Sequence, residues 1–367
     1  MSGLPPHLAI YIRFLYGGGA ERVLVNLMQN FVQQGIKVDL ILNRAEGPYM
    51  SEVPPQVRVI DLNTKKILAG LPKLIRYLQQ ERPAALLSSL HYPNEIAILA
   101  KHLAFVKTKV FVSEQNTLSV HARKEPGSQR WTPLFARLLY PWADGVIANS
   151  RGVASDLAQV TGLSSDRIPL IYNPVIGPHV LERAQAPVEH PWFQPNSPPV
   201  ILGVGRLDPQ KDFPTLIKAF ARVRETRDCR LVILGMGRDK AKLEQLTQDL
   251  GIESDVLFPG FVDNPYAYMA KAKMFVLSSL WEGLPTVLLE ALAIGIPVIS
   301  TDCPSGPAEI LDNGRYGLLV PMGDDRLMAK AMLEVLSGEN LVVAPEWLEQ
   351  FTTEAVTRQY SQALGLS

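Results

Sequence analysis

The chain has 367 residues, of which 47% are hydrophobic and 20% are charged, so it can bury a large core and global disorder is excluded. Basic and acidic residues are equal at 36 each, so bulk charge gives no reason to expect a nucleic-acid-binding protein. The two cysteines, Cys229 and Cys303, argue against a disulfide framework and favour a reducing compartment.

The first residues carry no basic region followed by an apolar run, so no secretory signal peptide is predicted. No stretch reaches the roughly 20 apolar residues that a membrane-spanning helix needs. We therefore expect a cytoplasmic protein that is soluble or peripheral to a membrane.

Short apolar runs alternate with segments of helical periodicity through the first half of the chain, which predicts a parallel sheet covered by helices on both faces. The predicted strands are 8–14, 37–42, 57–62, 84–89, 109–113, 145–148 and 168–171. The clearest predicted helices are 20–34, 71–80 and 151–161.

The alternation stops at 184–199, where five prolines predict an irregular linker, and then starts again. The second series of predicted strands is 200–204, 230–234, 256–258, 274–277, 297–300 and 318–320, with helices at 213–225, 239–250, 286–293 and 325–336. An amphipathic segment at 345–364 has no strand after it. The prediction is an α/β protein with domains at 1–183 and 200–344, a linker at 184–199 and a separate final segment at 345–367. Such a pair of domains predicts a ligand cleft between them.

Candidate site residues in the first half follow predicted strands. A glycine run in Tyr16–Arg22 suits a backbone turn that approaches a phosphate, or simply a tight turn. His91 and Glu114 each follow a strand; either could act in a site, and Glu114 could equally be a helix-start carboxylate.

In the second half, Arg206 and Lys211 share one loop after a strand, and their charges suit a diphosphate or are simply solvated. The turn Gly235-Met-Gly237 also follows a strand. Lys240 stands where a dinucleotide fingerprint needs its third glycine, so this turn is not a dinucleotide motif.

The most informative segment runs from Glu282 to Glu290, with Pro285 placed as the first residue of a helix. Over eight helical residues, about 12 Å, one carboxylate can reach a sugar and the other a ribose, with the helix N-terminus facing a diphosphate. Each glutamate alone is more simply a solvated helix charge, but apolar residues surround Glu290.

These motifs occur in an order that resembles the family-4 retaining glycosyltransferases of GT-B architecture, of the bacterial surface-glycan type. The resemblance covers nearly the whole chain. It is carried by Gly17-Gly-Gly-Ala-Glu-Arg22, His91-Tyr-Pro-Asn94, Ala143-Asp-Gly-Val-Ile-Ala-Asn-Ser150, Tyr172-Asn-Pro174, Gly205-Arg-Leu-Asp-Pro-Gln-Lys-Asp212, Phe258-Pro-Gly-Phe261, Glu282-x7-Glu290, Cys303-Pro-Ser-Gly-Pro-Ala-Glu-Ile-Leu311 and Gly317-Leu-Leu-Val-Pro321.

The resemblance implies that Glu290 binds the ribose, Glu282 binds the donor sugar, and His91 lies at the reacting sugar in an acceptor-binding first domain. It implies that Arg206 and Lys211 neutralise the diphosphate of a nucleotide sugar. The other implied donor-binding residues are Gly18, Gly19, Phe261, Val262, Gly283, Leu284, Pro285 and Thr286. Leu284-Pro285 departs from the family's common Phe-Gly, and Pro285 removes one backbone donor. The final segment, 345–367, is implied to cross back to the first domain.

The resemblance further implies a metal-independent enzyme without a cofactor, and the sequence contains no Asp-x-Asp motif. It points to a UDP-linked hexose or N-acetylhexosamine donor and a glycan or lipid-linked acceptor. Open alternatives are a nucleotide-sugar epimerase, a phosphorylase and a catalytically silent nucleotide-sugar-binding protein. A Rossmann oxidoreductase is disfavoured by the failed glycine fingerprint.

A basic amphipathic stretch at 123–142 has two interpretations. Trp131, Leu134, Phe135, Leu138 and Leu139 recur at helical spacing, with Arg130 and Arg137 between them. These residues either pack onto the sheet as core or lie on the inner face of the cell membrane.

Overall fold

Two parallel six-stranded sheets organise the chain, each in its own compact unit, in a computed structural model that describes residues 5–16, 18–124, 130–339 and 341–366. The first unit comprises residues up to Val175 together with Gln350 onward, and the second runs from Ile176 to Glu349. Among the described residues, no helix has both the length and the apolar character needed to cross a bilayer.

The first unit contains the sheet with strand order β3-β2-β1-β4-β5-β6. Its strands are β1 His7–Ile12, β2 Lys37–Leu42, β3 Arg58–Asp61, β4 Ala85–Ser89, β5 Lys109–Glu114 and β6 Gly145–Ala148. Its helices are α1 Gly19–Gln33, α2 Leu71–Glu81, α3 His91–Ala104, α4 Leu118–Lys124, α5 Thr132–Leu139 and α6 Arg151–Thr161, with the last helix of the chain, Thr353–Leu364, added to them.

Alternation along β1 explains the layers of this unit. Leu8 and Ile10 pack into one core cluster, whereas Ala9 and Tyr11 pack into a second on the opposite face, as the two-residue period of a strand requires. Buried residues of the final helix, such as Tyr360, belong to the first cluster, so that helix completes the core of the first unit.

The second unit repeats the same topology, with strand order β12-β11-β10-β7-β8-β9. Its strands are β7 Val200–Val204, β8 Arg230–Leu234, β9 Val256–Gly260, β10 Met274–Leu277, β11 Val298–Thr301 and β12 Leu318–Val320. Its helices are α7 Pro178–Ala184, α8 Phe213–Arg224, α9 Lys240–Asp249, α10 Pro265–Lys271, α11 Thr286–Ile294, α12 Pro307–Ile310, α13 Asp325–Leu336 and α14 Pro345–Leu348; the final helix Thr353–Leu364 is α15. Both units are Rossmann-like.

The structure differs from the predicted organisation at three places. The predicted strand 168–171 contributes only one isolated bridge, between Ala148 and Leu170. The units divide after Val175, before the predicted linker 184–199, because α7 packs on α10 and Arg183 pairs with Asp263 within the second unit. The predicted final helical segment is interrupted at Glu349–Phe351, since Thr352 caps a new helix by accepting from Ala355 N at 3.3 Å.

Candidate functional site

The reversal of strand order in the second sheet brings the loops after β7 and β10 together, because these strands are neighbours while their helices lie on opposite faces. Lys211 from the first loop and Glu282 from the second form an ion pair of 2.5 Å, although 71 residues separate them. Both side chains are largely buried. Ser279 Oγ donates a further hydrogen bond to Glu282 Oε1 at 2.6 Å, so this carboxylate is held by two partners.

Gln210 connects the two loops through backbone groups. Its Nε2 donates to Trp281 O at 2.9 Å, and its carbonyl accepts from Leu280 N at 2.8 Å. Ser278 Oγ donates to Lys211 O at 2.7 Å. These bonds fix the backbone on both sides of the ion pair, so the positions of Lys211 and Glu282 are determined before any ligand binds.

Arg206 lies at the edge of this arrangement rather than inside it. Its side chain is 65% exposed, pairs with Asp208 at 3.2 Å and donates to Gln210 Oε1 at 3.0 Å. The guanidinium is thus linked to the Lys211 loop but keeps most of its hydration, whereas Lys211 does not.

The turn after β8 supports the Arg206 loop by close backbone approach. Gly235 has φ of 140°, and a Cβ on it would lie 1.9 Å from Gly205 O. A Cβ on Gly237 would lie 2.2 Å from Leu207 O. Any larger residue at either position would displace the loop that carries Arg206 and Lys211.

Helix α11 carries the second glutamate of the predicted motif. It begins at Thr286, as the predicted helix 286–293 does, and Pro285 is its N-cap rather than its first helical residue. Glu290 is buried, and Tyr266 OH donates to its Oε1 at 3.3 Å. In the sequence, the N-terminus of α11 therefore lies between the buried residues Glu282 and Glu290, as the motif spacing predicted.

The segment between the two glutamates is held by the loop after β11. Ser305 Oγ donates to Gly283 O at 2.9 Å, and a Cβ on Gly306 would lie 2.5 Å from Pro285 Cδ. Leu284 is buried. Ser279, Gln210, Tyr266 and Ser305 were not predicted as site residues, although Ser305 and Gln210 lie within motifs that carried the resemblance.

Phe261 and Val262 follow β9, at the edge of the sheet away from β10. Phe261 is 39% exposed. Their assignment to a nucleotide base therefore stays a prediction.

In the first unit, Gly18 is the N-cap of α1 and Gly19 is its first residue, while Gly17 lies outside the described residues. A Cβ on Gly18 would lie 2.3 Å from Glu21 Oε2. Arg22 is buried, pairs with Glu52 and lies 3.9 Å above the Tyr49 ring. Arg22 thus anchors α1 to the segment after β2.

His91 begins α3, directly after β4, at the corresponding strand-order reversal of the first sheet. Its pKa is lowered to about 4, first by burial and second by His121, whose ring centroid is 5.7 Å away. His91 is therefore neutral at physiological pH. Its Nε2 is buried without a hydrogen-bond partner, and Glu114 lies buried at the end of the next strand.

No group of three or more His, Cys, Asp or Glu side chains suited to a metal ion occurs in the described parts of the chain. Cationic charge next to Glu282 comes from Lys211.

Two family models match the chain. The model for glycosyl transferases group 1 matches residues 189–349, and the model for Glycosyltransferase Family 4 matches residues 17–176.

Individual relatives match over most of their length. The chain is 33% identical to an N-acetylgalactosaminyltransferase of Campylobacter jejuni, named for an N-acetylgalactosamine-N,N'-diacetylbacillosaminyl-diphospho-undecaprenol, across 91% of both chains. It is 25% identical to a lipopolysaccharide core biosynthesis glycosyltransferase of Rhizobium meliloti, across 97% of this chain and 98% of that one. Anabaena HepE, solved with UDP and glucose, superposes with a TM-score of 0.80 at 18% identity, covering 98% of this chain and 99% of that chain.

Proposed function

Because this chain belongs to the family-4 glycosyltransferases with the GT-B fold, we propose that it transfers a hexose or N-acetylhexosamine from a UDP-sugar to a glycan or lipid-linked acceptor. We further propose that the anomeric configuration is retained and that no metal ion is required. The observation that carries this proposal is the buried Lys211–Glu282 pair at the strand-order reversal of the second sheet.

Lys211 and Glu282 suit two adjacent parts of a nucleotide sugar, the diphosphate and the donor sugar. The Glu282 carboxylate can accept hydrogen bonds from sugar hydroxyls, and the Lys211 ammonium can neutralise charge that develops on the diphosphate. Arg206 and the N-terminus of α11 add positive potential nearby. Glu290, held by Tyr266, is proposed to accept from the ribose hydroxyls. Phe261 and Val262 are proposed to lie at the base, and Gly18, Gly19 and residues 283–286 at the phosphates and sugar.

The bond changes balance without a protein nucleophile. The acceptor oxygen bonds to the anomeric carbon on the face from which the bond to the diphosphate oxygen breaks. The acceptor proton moves to a phosphate oxygen of the leaving UDP. In this scheme neutral His91 lies at the reacting sugar and donates or accepts a hydrogen bond without changing charge.

The relatives favour a lipid-linked acceptor and a UDP donor. The Campylobacter jejuni enzyme is named for a diphospho-undecaprenol acceptor, and Anabaena HepE was solved with UDP and glucose. We propose the same substrate classes for this chain.

An exposed surface supports contact with an anionic membrane. We define the apolar patch as seven side chains that are 45–92% exposed: Leu103, Phe105, Trp131, Leu134, Phe135, Leu138 and Trp142. They lie on neighbouring elements, since α5 packs on α3 and His102 Nε2 lies 3.0 Å from Trp142 O. The residues of α5 that face the core are instead Thr132, Ala136 and Leu139. Exposed Arg130 and Arg137 flank the patch. Aromatic and basic side chains together suit the headgroup region, which we propose to be the cytoplasmic leaflet.

The proposed activity is tested by incubating purified protein with a panel of UDP- and GDP-sugars and a diphosphate-polyprenyl-linked N-acetylhexosamine. Release of UDP that depends on the acceptor, with an α-linked product from an α-linked donor, is the expected result. Conversion of the sugar without acceptor would favour an epimerase. UDP-sugar binding without any turnover would favour a silent binding protein.

A further inference from the structure

Two carboxyl groups lie close to one another in the first unit, beside His91. Glu95 is one helical turn after His91 on α3, and Glu114 is the last residue of β5. Asn94 Nδ2 donates to Glu114 Oε1 at 2.9 Å, and Tyr140 OH also donates to that oxygen. Glu95 has no such donor: its Oε1 is buried without a hydrogen-bond partner.

The two carboxyl groups cannot both be ionised at low cost. No lysine or arginine in the described parts of the chain forms an ion pair with either group, so nothing offsets their mutual repulsion in a poorly solvated site. Glu114 has two donors that stabilise its anion, whereas Glu95 has none. The proton that one of them must keep is therefore held by Glu95.

The direction of the pKa shifts agrees with this assignment. Burial first, and Glu114 second, raise the pKa of Glu95 to about 8. The pKa of Glu114 rises less, to about 7, because burial is opposed by its hydrogen bonds from Tyr140 and Asn94. At neutral pH Glu95 is mostly a neutral carboxylic acid, which can donate a hydrogen bond.

The remaining titratable groups on the packed elements do not supply a counter-charge. His91 on the same turn is neutral, with a pKa of about 4, and on α2 the Tyr77 hydroxyl bonds to Asp39 while Glu81 pairs with Arg58. The other titratable groups on elements packed against α3, or beside His91, are His7, Tyr11, Lys73, Arg76, Lys109, His121, Arg137 and Tyr140. The charge of Asp156 on α6 raises the pKa of Glu114 further.

Three polar atoms of one helical turn lack partners: His91 Nε2, Asn94 Oδ1 and Glu95 Oε1. Asn94 is fully buried, so bulk water does not satisfy it. Unpartnered polar groups on one turn, at the strand ends of a Rossmann-like sheet, indicate a polar ligand.

We propose that Glu95 is a specificity-determining residue, whose protonated carboxyl group donates a hydrogen bond to an uncharged oxygen of the acceptor sugar. The inference rests on the proposed transferase function, since it names how the acceptor is recognised. Buried Glu114 disfavours the binding of an anionic sugar. A neutral hydroxyl or acetamido oxygen of the sugar can accept the hydrogen bond that Glu95 donates. Ionisation of Glu95 replaces its donor by a second negative charge and abolishes this contact.

The decisive comparison is wild type against Glu95→Gln, which keeps a neutral donor at every pH. Binding of octyl α-N-acetylgalactosaminide, a neutral glycoside, is measured by titration calorimetry between pH 6 and 9. Octyl α-galacturonide is the negatively charged control ligand. The protonated fraction of a group with a pKa near 8 falls about tenfold from pH 7 to pH 9, so wild-type affinity for the neutral glycoside should fall about tenfold. The affinity of Glu95→Gln, in which Glu114 still titrates with a pKa of about 7, should fall much less than that of wild type, and Glu95→Leu should bind weakly throughout. Superimposable profiles of wild type and Glu95→Gln, stronger binding of the uronide, or no binding of the neutral glycoside at pH 7 would each overturn the proposal.

Infrared difference spectra of wild type minus Glu95→Gln separate this inference from the transferase proposal. They should contain a protonated carboxyl band at pH 7 that disappears by pH 9. Absence of that band at pH 7 would also overturn the assignment, whatever the enzyme transfers. If the band and the binding profile are as expected but no UDP-sugar supports transfer, the proposed function fails. The recognition of the sugar by Glu95 then still stands.

Discussion

The two strand-order reversals of this molecule share a topology but differ in how their polar groups are satisfied. At the ends of β7 and β10, Lys211 and Ser279 both donate hydrogen bonds to Glu282, so this carboxylate has its partners within the protein. At the end of β4, atoms of His91, Asn94 and Glu95 are buried without partners. A satisfied network is rigid before ligand binds, whereas an unsatisfied one gains most of its hydrogen bonds from a ligand. The same topology thus carries an ion-paired cluster in the second unit and a set of unpartnered polar atoms in the first.

The largest effect is expected from Lys211→Ala. It removes the charge that we propose acts on the leaving diphosphate, so turnover should fall a hundredfold or more, about 3–4 kcal/mol. It also leaves Glu282 buried and unpaired, so the free energy of unfolding should fall by about 3 kcal/mol. Steady-state kinetics and denaturant unfolding measure the two effects.

Exposed Lys218→Ala on α8 is the matched control and should change neither quantity. The double variant Lys211→Ala/Glu282→Gln should recover stability without recovering turnover. Near-normal turnover of Lys211→Ala would remove the basis for the donor site.

The contrasting variant in the first unit is His91→Leu. Because Nε2 already lacks a partner, replacing the ring by an apolar side chain should change the free energy of unfolding by less than about 1 kcal/mol. Turnover should fall by about tenfold to a hundredfold, since the variant loses the polar group that we propose lies at the reacting sugar. A loss of stability as large as that of Lys211→Ala would contradict the distinction between the two sites.

A smaller effect is expected at the apolar patch. The protein should sediment with anionic vesicles at low salt and dissociate as salt rises, and Arg130→Glu/Arg137→Glu should weaken the binding by about 1 kcal/mol for each lost charge. Arg315→Glu, exposed in the second unit, is the control. Failure of the wild-type protein to sediment with anionic vesicles at low salt would refute membrane contact.

The smallest effect is expected from chelation. Lys211, Arg206 and the N-terminus of α11 supply positive charge at the strand-order reversal of the second sheet. Turnover with EDTA should therefore stay within about twofold of turnover without it. Loss of activity that only Mg²⁺ or Mn²⁺ restores would show that these groups do not suffice.

Local patterns predicted most of the fold. Alternating apolar runs located the twelve strands of the two sheets to within a few residues, since a buried parallel strand needs a short apolar run. The predicted strand 168–171 was wrong because an apolar run does not specify a pairing partner, and the structure offers only Leu170 a bridge. The helical stripe of Trp131, Leu134, Phe135, Leu138 and Leu139 was open to two interpretations. The structure exposes the first four side chains, whereas Leu139 packs against the core together with buried Thr132 and Ala136.

The sequence by itself determined which chemistry was available: a loop with Arg206 and Lys211, a segment with Glu282 and Glu290, and a histidine after a strand. Only the tertiary structure decided which of these groups meet. Strand order places β7 beside β10, and this adjacency brings Lys211 to Glu282 across 71 residues while leaving Arg206 hydrated. Burial and neighbours, which no local pattern encodes, decided that His91 is neutral and that Glu95 keeps a proton.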